Sequence, residues 1–261
     1  MIATRALDLM TAEPKLLRQQ RHWLFQPGLA TIGGRGRLEV WEAYNPEHDY
    51  AVGADFALGL EGRDYDSAVV LDYSVSPVRQ VAVLHGHWGE TFDRPLYALL
   101  RYYGGPRNTW AFLCGERQYG LPCLQRLYTE YQVGWMYYDR DEDVRTRRMT
   151  AKLGYWRSVG DIAVPRLARA IADKKIILRD RETIRQVGKL QWVPKNKAAD
   201  PAEVDDKGLK MKLSGGGSPD LAMALAYAWL AAEEVPKFEK PKLALPAHSL
   251  GAILGGHDEV E

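Results

Sequence analysis

The chain has 261 residues, of which 46% are hydrophobic, and its 35 Lys and Arg nearly balance its 34 Asp and Glu. This length is enough for one large domain or two small ones with an ordinary core, without disulfides or a structural metal. Because net charge is almost absent, any binding to a polyanion must depend on local basic patches. The two cysteines have no metal-ligand spacing, no secretory signal is visible, and the longest apolar stretch, 221–232, is too short to span a bilayer. A reducing, cytoplasmic setting is therefore expected.

The first half of the chain predicts a β-sheet. Residues 37–44 alternate apolar and polar side chains, as a half-buried strand does. The apolar runs at 50–55, 67–74 and 78–88 then predict three consecutive antiparallel strands. The stretches "NTWAFLCGE" and "VGWMYY" predict the fourth and fifth strands of the same sheet.

Helical periodicity alternates with the later strands. The predicted helices are 92–104, 121–131, 161–175, the first half of 181–193, and 220–234. A polar segment at 195–212 predicts a loop or hairpin. The order predicts an α/β fold with a mixed five-stranded sheet flanked by helices. We expect an arm or linker at 1–36, one domain at 37–235, and a mobile tail at 236–261.

Three acidic residues share an unusual position, since each lies where an apolar element begins or ends. They are Asp55, Glu116 and Asp220. A carboxylate at such a position costs several kcal/mol unless it is paired or bound to a cation. If the first and fourth strands are neighbours, Asp55 and Glu116 lie side by side, and a helix packed on the sheet brings Asp220 to them. Asp64 could supply a fourth carboxylate, and Glu61 is a weaker candidate.

A cluster of carboxylates favours hard cations. Oxygen-only ligands select Mg²⁺ or Mn²⁺, and a pair of such ions suits in-line displacement at phosphorus. Each acid also has a structural interpretation. Asp220 could be a first-turn acid that complements the helix dipole, Asp64 and Asp66 could be ordinary turn residues, and Glu116 could pair with Arg117 or Arg126 on the surface.

Taken together and in order, four stretches resemble the nuclease domain of the large terminase subunit of tailed bacteriophages, which has an RNase H-like fold. The resemblance extends from about Arg37 to Ala232. Its four stretches are "GRLEVWEAYNPEHDYAVGADFALGLEGRDYDSAVVLD", "WAFLCGERQYGLPCLQRL", "KLGYWRSVGDIAVPRLARAIADKKIILRDRETIRQVGKLQW" and "GGGSPDLAMALAYAWLA". It implies catalytic and metal-binding roles for Asp55, Glu116 and Asp220, with Asp64 as an accessory ligand of two Mg²⁺ or Mn²⁺ ions. The implied partners are double-stranded DNA, a packaging ATPase, a small terminase subunit and a portal protein, in the cytoplasm of a bacterial host.

The chain departs from the family pattern at three places. Ser218-Pro219-Asp220 stands where the family has His-Asp-Asp, so one acid is missing and the second metal site is in question. Gln186 stands where the family often has a Glu. No G-x-x-x-x-G-K-[ST] phosphate loop is present, so the sequence corresponds to the nuclease half of a large subunit.

Two basic segments are candidate DNA contacts, because a nuclease with little net charge needs concentrated cations. Either could instead be a solvated polar loop, and four acids in the second would oppose phosphate binding. The candidates are Arg145, Arg147, Arg148, Lys152 and Arg157 in the first segment, and Lys195, Lys197, Lys210 and Lys212 in the second.

His85 and His87 alternate on one strand and should face the same side of the sheet. Their spacing is compatible with a metal, but a pair on the sheet surface is the simpler interpretation.

The carboxylates and the family resemblance together predict a metal-dependent endonuclease that cuts double-stranded phage DNA during packaging. The alternatives are a RuvC-like junction resolvase, and a nuclease-like module that binds DNA or the portal without catalysis.

Overall fold

The computed structural model describes residues 28–32, 36–57, 65–104, 110–143, 148–155, 162–194 and 209–235. Its strands are β1 (Gly28–Ile32), β2 (Gly36–Val40), β3 (Tyr50–Asp55), β4 (Asp66–Asp72), β5 (Val78–Gly86), β6 (Phe112–Gly115), β7 (Tyr138–Asp143), β8 (Arg148–Leu153), β9 (Ile176–Ile177), β10 (Leu190–Pro194) and β11 (Leu209–Leu213). Its α-helices are α1 (Asp93–Gly104), α2 (Leu121–Thr129), α3 (Ala163–Ala172), α4 (Arg181–Lys189) and α5 (Asp220–Glu234). No helix within these ranges is both long enough and apolar enough to cross a lipid bilayer.

The main sheet has the strand order β1-β2-β5-β4-β3-β6, and β9 adds to β5 in parallel. Strands β3, β4 and β5 form the predicted antiparallel meander, and β6 lies parallel to β3. The predicted fifth strand is a short segment beside β6, where Leu113 N donates to Trp135 O at 3.1 Å and Tyr137 N donates to Leu113 O at 2.7 Å. The predicted α/β fold is therefore confirmed, and β1 and β2 extend the sheet beyond the meander.

The strands bury both faces of the sheet. Even-numbered residues of β3 such as Val52 pack with α1 and α2, whereas odd-numbered residues such as Ala51 pack with α3 and α5. This alternation follows from the two-residue repeat of a strand. It places Asp55, at the end of β3, on the face covered by α5.

Helix α5 crosses β3 at Gly53. A Cβ atom on Gly53 would lie 2.0 Å from the carbonyl oxygen of Ala224 and 2.1 Å from the nitrogen of Ala228, so a side chain is excluded there. Every residue from Leu221 to Ala232 is at most 8% exposed. The uniformly apolar sequence of this helix follows from burial on all sides rather than from a membrane.

Two hairpins flank the core. The β7–β8 hairpin leads into Tyr155, which forms a parallel bridge with Glu116. The β10–β11 hairpin connects α4 to α5, and it confirms the predicted hairpin for the part of its stem that the structure describes. Both hairpins therefore leave the core close to residues predicted to form the acidic site.

Candidate active site

Asp55 and Glu116 lie side by side at one edge of the sheet. The parallel pairing of β3 with β6 runs to Ala54 opposite Gly115, and Glu116 N donates to Ala54 O at 3.0 Å. The next two residues along these strands are Asp55 and Glu116, on backbones roughly 4.8 Å apart. The adjacency expected from the strand order is present.

Asp220 is the first residue of α5 and lies at the same edge. The chain reaches it from β11 through Gly215, Gly216 and Gly217, whose φ angles are +86°, +91° and +94°. Three successive positive φ angles are readily adopted only by glycine. Tyr65 N donates to Oδ2 of Asp220 at 3.0 Å, and Tyr65 directly precedes β4, whose start pairs with the end of β3. The loop before β4 thus joins Asp220 to the edge that carries Asp55.

The pKa of the buried Tyr227 hydroxyl is affected by the charges at this edge. It lies on α5, and burial is the main cause that raises the pKa of its hydroxyl well above the ordinary value. The charges of Asp55 and Glu116 raise that pKa further. Both carboxylates therefore act on the same buried side chain of the helix that carries Asp220. This supports the placement of all three acids at one edge of the sheet.

The carboxylate of Glu116 accepts hydrogen bonds from the loop that follows it. Tyr119 N donates at 2.8 Å and Gly120 N at 3.4 Å, and Gln118 N also donates to it. Burial raises the pKa of Glu116, while these amides oppose that change. The alternative ion pair with Arg126 is not formed, because Arg126 bonds instead to Asp93 at 3.2 Å. Glu116 thus stabilises the turn that leads into α2, a structural role that sequence reasoning missed.

Gln186 holds the start of α5. Its side-chain oxygen accepts from Leu221 N at 2.9 Å and from Ala222 N at 3.1 Å, and it is buried. The first amides of a helix lack partners within the helix, so this contact caps α5 from α4. Ser218 also bonds to Asp220. Asp220 is therefore positioned by residues of three separate segments.

The donor chemistry of this edge suits a hard divalent cation, because Asp55, Glu116 and Asp220 are all carboxylates. Within the described ranges, no three His, Cys, Asp or Glu side chains form a ready-made metal cage. Glu116 and Asp220 direct oxygens towards N–H and O–H donors, and a carboxylate keeps further lone pairs for a cation. Asp64, the predicted accessory ligand, and Glu61 lie outside the described residues.

Asp66 lies in a strand, so the prediction that it is a turn residue was wrong. It begins β4, is 1% exposed, and faces away from α5. Ala57 N donates to it at 3.0 Å, Trp88 N at 2.9 Å and Gly89 N at 2.7 Å. Burial raises its pKa, against the effect of these amides. Asp66 therefore connects the start of β4 to the residues that follow β3 and β5. Its position in an acidic stretch of the sequence did not indicate this role.

Four of the predicted DNA contacts lie on strands of the two hairpins. Lys152 is on β8 and is half-buried, whereas Lys212 is exposed on β11. Arg148 and Lys210 lie on the backbone of the same two strands. The remaining candidates, Arg145, Arg147, Arg157, Lys195 and Lys197, fall outside the described residues.

Tyr65, His85 and His87 form an aromatic stack next to Asp220. The Tyr65 ring lies 4.5 Å from that of His85 and 3.9 Å from that of His87, between centroids, so both histidines face the same side as predicted. Burial, followed by the charge of Arg37, lowers the pKa of His85 to about 4. The ring of His85 is therefore neutral at neutral pH.

No protein-family model and no curated protein sequence matches the chain. Solved structures do match. The magnesium-bound large terminase nuclease of the thermophilic phage G20c has a TM-score of 0.54 and 18% identity, over 87% of this chain and 96% of its own. The cobalt-bound form has a TM-score of 0.53 and 18% identity, over the same shares of the two chains. A further structure of that nuclease has a TM-score of 0.51 and 17% identity, over 87% and 97%.

Identities this low establish a shared fold and leave the chemistry of individual residues open. The matches nevertheless extend over nearly the whole length of the G20c nuclease, so they are not limited to one supersecondary motif. The resemblance predicted from four sequence stretches is thereby confirmed, and this chain has the RNase H-like fold of a phage large terminase nuclease.

Proposed function

We propose that the chain is a metal-dependent endonuclease that cleaves double-stranded DNA during phage genome packaging. The observation that supports this proposal is that Asp55, Glu116 and Asp220 lie at one edge of a sheet with the fold of a large terminase nuclease. One of the similar structures holds magnesium, and carboxylate oxygens are the ligands that Mg²⁺ and Mn²⁺ prefer.

The residues of this edge have distinct tasks in the proposal. Asp55, Glu116 and Asp220 hold the cations, with Asp64 as a fourth ligand. When bound, two Mg²⁺ or Mn²⁺ ions supply an activated water and stabilise the leaving oxygen of the phosphodiester. Glu116 keeps the loop before α2 in place, and Gln186 keeps the start of α5 in place. The chain thereby fixes carboxylates on three elements before DNA arrives.

The surroundings of the reaction follow from the same proposal. The two basic hairpins contact duplex DNA on either side of the acidic edge. A packaging ATPase, a small terminase subunit and a portal protein are the partners, and the site of action is the cytoplasm of the bacterial host.

A plasmid-cleavage assay with Mg²⁺ or Mn²⁺ tests the proposal. We expect the wild-type chain to linearise supercoiled plasmid, and Asp55→Asn to abolish this activity because it removes a charged oxygen ligand. Asp173→Asn, an exposed acid distant in sequence from the site, is the matched control and should cut as the wild type does. Full activity of Asp55→Asn would overturn the proposal.

A second function is favoured by one observation, that Ser218-Pro219 stands where the family has His-Asp, so the last acidic motif is reduced. On this hypothesis the chain is a nuclease-like module that binds DNA without cutting it. Calorimetry with Mn²⁺ separates the two functions. Metal binding that Asp220→Asn weakens supports the nuclease, whereas DNA binding with no measurable metal binding supports the module.

A further inference from the structure

A groove of about 720 Å³ lies beside the acidic edge, on the same face of the sheet. Its floor is formed by β2 and β5, and its wall by the start of α4. Arg37, Arg179, Arg181 and Arg185 line it together with His85. Neither of the basic segments predicted from the sequence contributes a residue to this lining. The groove is thus a separate concentration of guanidinium groups.

The acids that share the groove are paired with its arginines. Arg37 bonds to Glu39 at 2.7 Å and to Asp180 at 2.8 Å. Arg185 bonds to Glu182 at 2.7 Å. These pairs hold the guanidinium planes in fixed orientations, and each guanidinium has five donors, so some remain for a ligand. Arg181 is exposed and makes no ion pair with any residue that the structure describes.

A row of paired residues on one face of the sheet connects the groove to the acidic edge. Across the sheet, Asp55 pairs with Ser67, Ser67 with His85, and His85 with Arg37. Residues paired in this way share one face, and three inter-strand spacings separate Asp55 from Arg37 by roughly 14 Å. Phosphates of one DNA strand follow each other at about 3.4 Å along the axis, so this separation corresponds to roughly four nucleotides.

Hydrogen bonds and a ring contact follow the same route. Tyr65 N bonds to Asp220 at 3.0 Å, and the exposed ring of Tyr65 stacks on His85, which lines the groove. Helix α4 is docked on the start of α5 through Gln186. The wall of the groove and the acidic edge are therefore held in one rigid arrangement.

The exposed side of α4 extends the cationic surface. Arg181, Arg185 and Lys189 are exposed and follow each other at four-residue intervals. This interval places them on one helical stripe with a rise of roughly 6 Å per step. The stripe leads from the groove to the base of the β10–β11 hairpin, where Ser214 N donates to Lys189 O at 2.8 Å.

We propose that this groove and the α4 stripe bind the sugar-phosphate backbone of duplex DNA, roughly four nucleotides from the phosphodiester held at the acidic edge. Guanidinium groups in fixed planes match phosphate oxygens with two parallel hydrogen bonds, which a flexible ammonium group does not achieve. This inference rests on the proposed nuclease function and adds to it a second contact that positions the DNA.

The test measures binding of a 30-base-pair duplex by the full chain in EDTA, over a series of NaCl concentrations. The double variant Arg181→Gln/Arg185→Gln removes two charges and keeps helix-forming residues in α4. The slope of log K against log salt should become less steep by about 2, because each phosphate contact contributes about 0.9. The control, Lys174→Gln/Lys175→Gln, removes two exposed charges beside Val78, at the opposite end of β5, and should leave the slope unchanged.

An unchanged slope in the α4 variant, or an equal loss in the control, would overturn the inference. Cleavage by Asp55→Asn is measured separately. If Asp55→Asn is inactive while the α4 variant binds as the wild type does, the groove inference fails and the nuclease function stands. If Asp55→Asn still cuts, the proposed function fails whatever the groove binds.

Discussion

Asp66 and Asp220 are both almost fully buried carboxylates near the same edge of the sheet, yet their surroundings differ. Asp66 is 1% exposed and accepts three main-chain hydrogen bonds, from Ala57, Trp88 and Gly89. Asp220 is 3% exposed and lies on the opposite face, next to Asp55 and Glu116. The charge of Asp66 is satisfied by the backbone, whereas Asp220 shares its edge with other acids.

This difference shows that burial alone does not identify a metal ligand. Three amide donors balance the charge of Asp66 within the fold and leave it a structural role. Glu116 also accepts three amide hydrogen bonds, but it lies beside Asp55 at the edge of the sheet, so its amides alone do not set its role. Two or three carboxylates at one edge repel each other, and a bound cation relieves that repulsion. The acids that lie beside a carboxylate therefore separate a structural carboxylate from a candidate ligand more clearly than its exposure does.

Among the changes that test this comparison, Asp220→Asn should have the largest effect on cleavage. The loss should exceed about 100-fold, since even an outer partner of a metal ligand is worth about 10- to 100-fold. The thermal midpoint should change little, because the Asn oxygen still accepts from Tyr65 N. Plasmid cleavage with Mn²⁺ and a thermal melt measure the two quantities. Wild-type cleavage by this variant would place Asp220 with Asp66 among the structural acids.

Gly53→Ala should move Asp220 while leaving its charge intact. The added Cβ would lie 2.0 Å from Ala224 O, so α5 must move away from β3. We expect a loss of about 3 kcal/mol in unfolding free energy, the upper end for overpacking, together with weaker cleavage. Gly188→Ala on α4 is the control, because nothing lies within 4 Å of its added Cβ. Urea unfolding of both variants measures the difference, and equal stabilities would contradict the close approach of α5.

Asp66→Asn should lower stability and leave cleavage unchanged, which is the opposite of what is expected for Asp220→Asn. The amide retains one acceptor oxygen but turns an N–H towards a buried N–H donor, which should cost about 2 kcal/mol of unfolding free energy. Cleavage per folded molecule should stay at the wild-type level, since Asp66 faces away from α5. Urea unfolding and plasmid cleavage are measured on the same preparation. A stable but inactive variant would show that Asp66 takes part in the reaction.

Gln186→Leu should lower both stability and cleavage by a small amount. This change leaves the amides of Leu221 and Ala222 without their acceptor and should cost about 1 kcal/mol of unfolding free energy. Cleavage should fall about 10-fold, as for loss of an outer partner of a ligand. Gln186→Glu restores an acceptor at the start of the helix and should recover cleavage. A Leu variant that loses stability but keeps full cleavage would confine Gln186 to a structural role.

Much of the edge that carries the acids follows from local sequence. An apolar run that ends in Asp55, and another that ends just before Glu116, fix where two strands stop. The change from strand to helix periodicity between them favours a crossover and a parallel pairing, but it does not fix which strand the fourth one pairs with. The adjacency of Asp55 and Glu116 was therefore predicted only for the case in which the first and fourth strands are neighbours, and the structure has that pairing.

The groove beside this edge was not predictable, because its residues come from three distant segments. Arg37 lies on β2, His85 on β5 and Arg181 on α4. Each taken alone is an ordinary charged or polar residue at the surface. Only the addition of β2 to β5, and the docking of α4 above them, brings the three together.

The sequence by itself determined the helices, most strands of the main sheet and the points at which the acid-bearing strands end, because these follow from short-range periodicity and from where apolar runs end. It did not predict β1, which lies within the expected arm at 1–36, or the strands β7 and β8. The tertiary structure alone decided which acid is satisfied and by what. The amide that holds Asp220 belongs to Tyr65, 155 residues earlier in the chain. Hydrogen-bond donors recruited over such separations leave no local pattern, so the roles of Asp66, Gln186 and Tyr65 emerge only when the chain is folded.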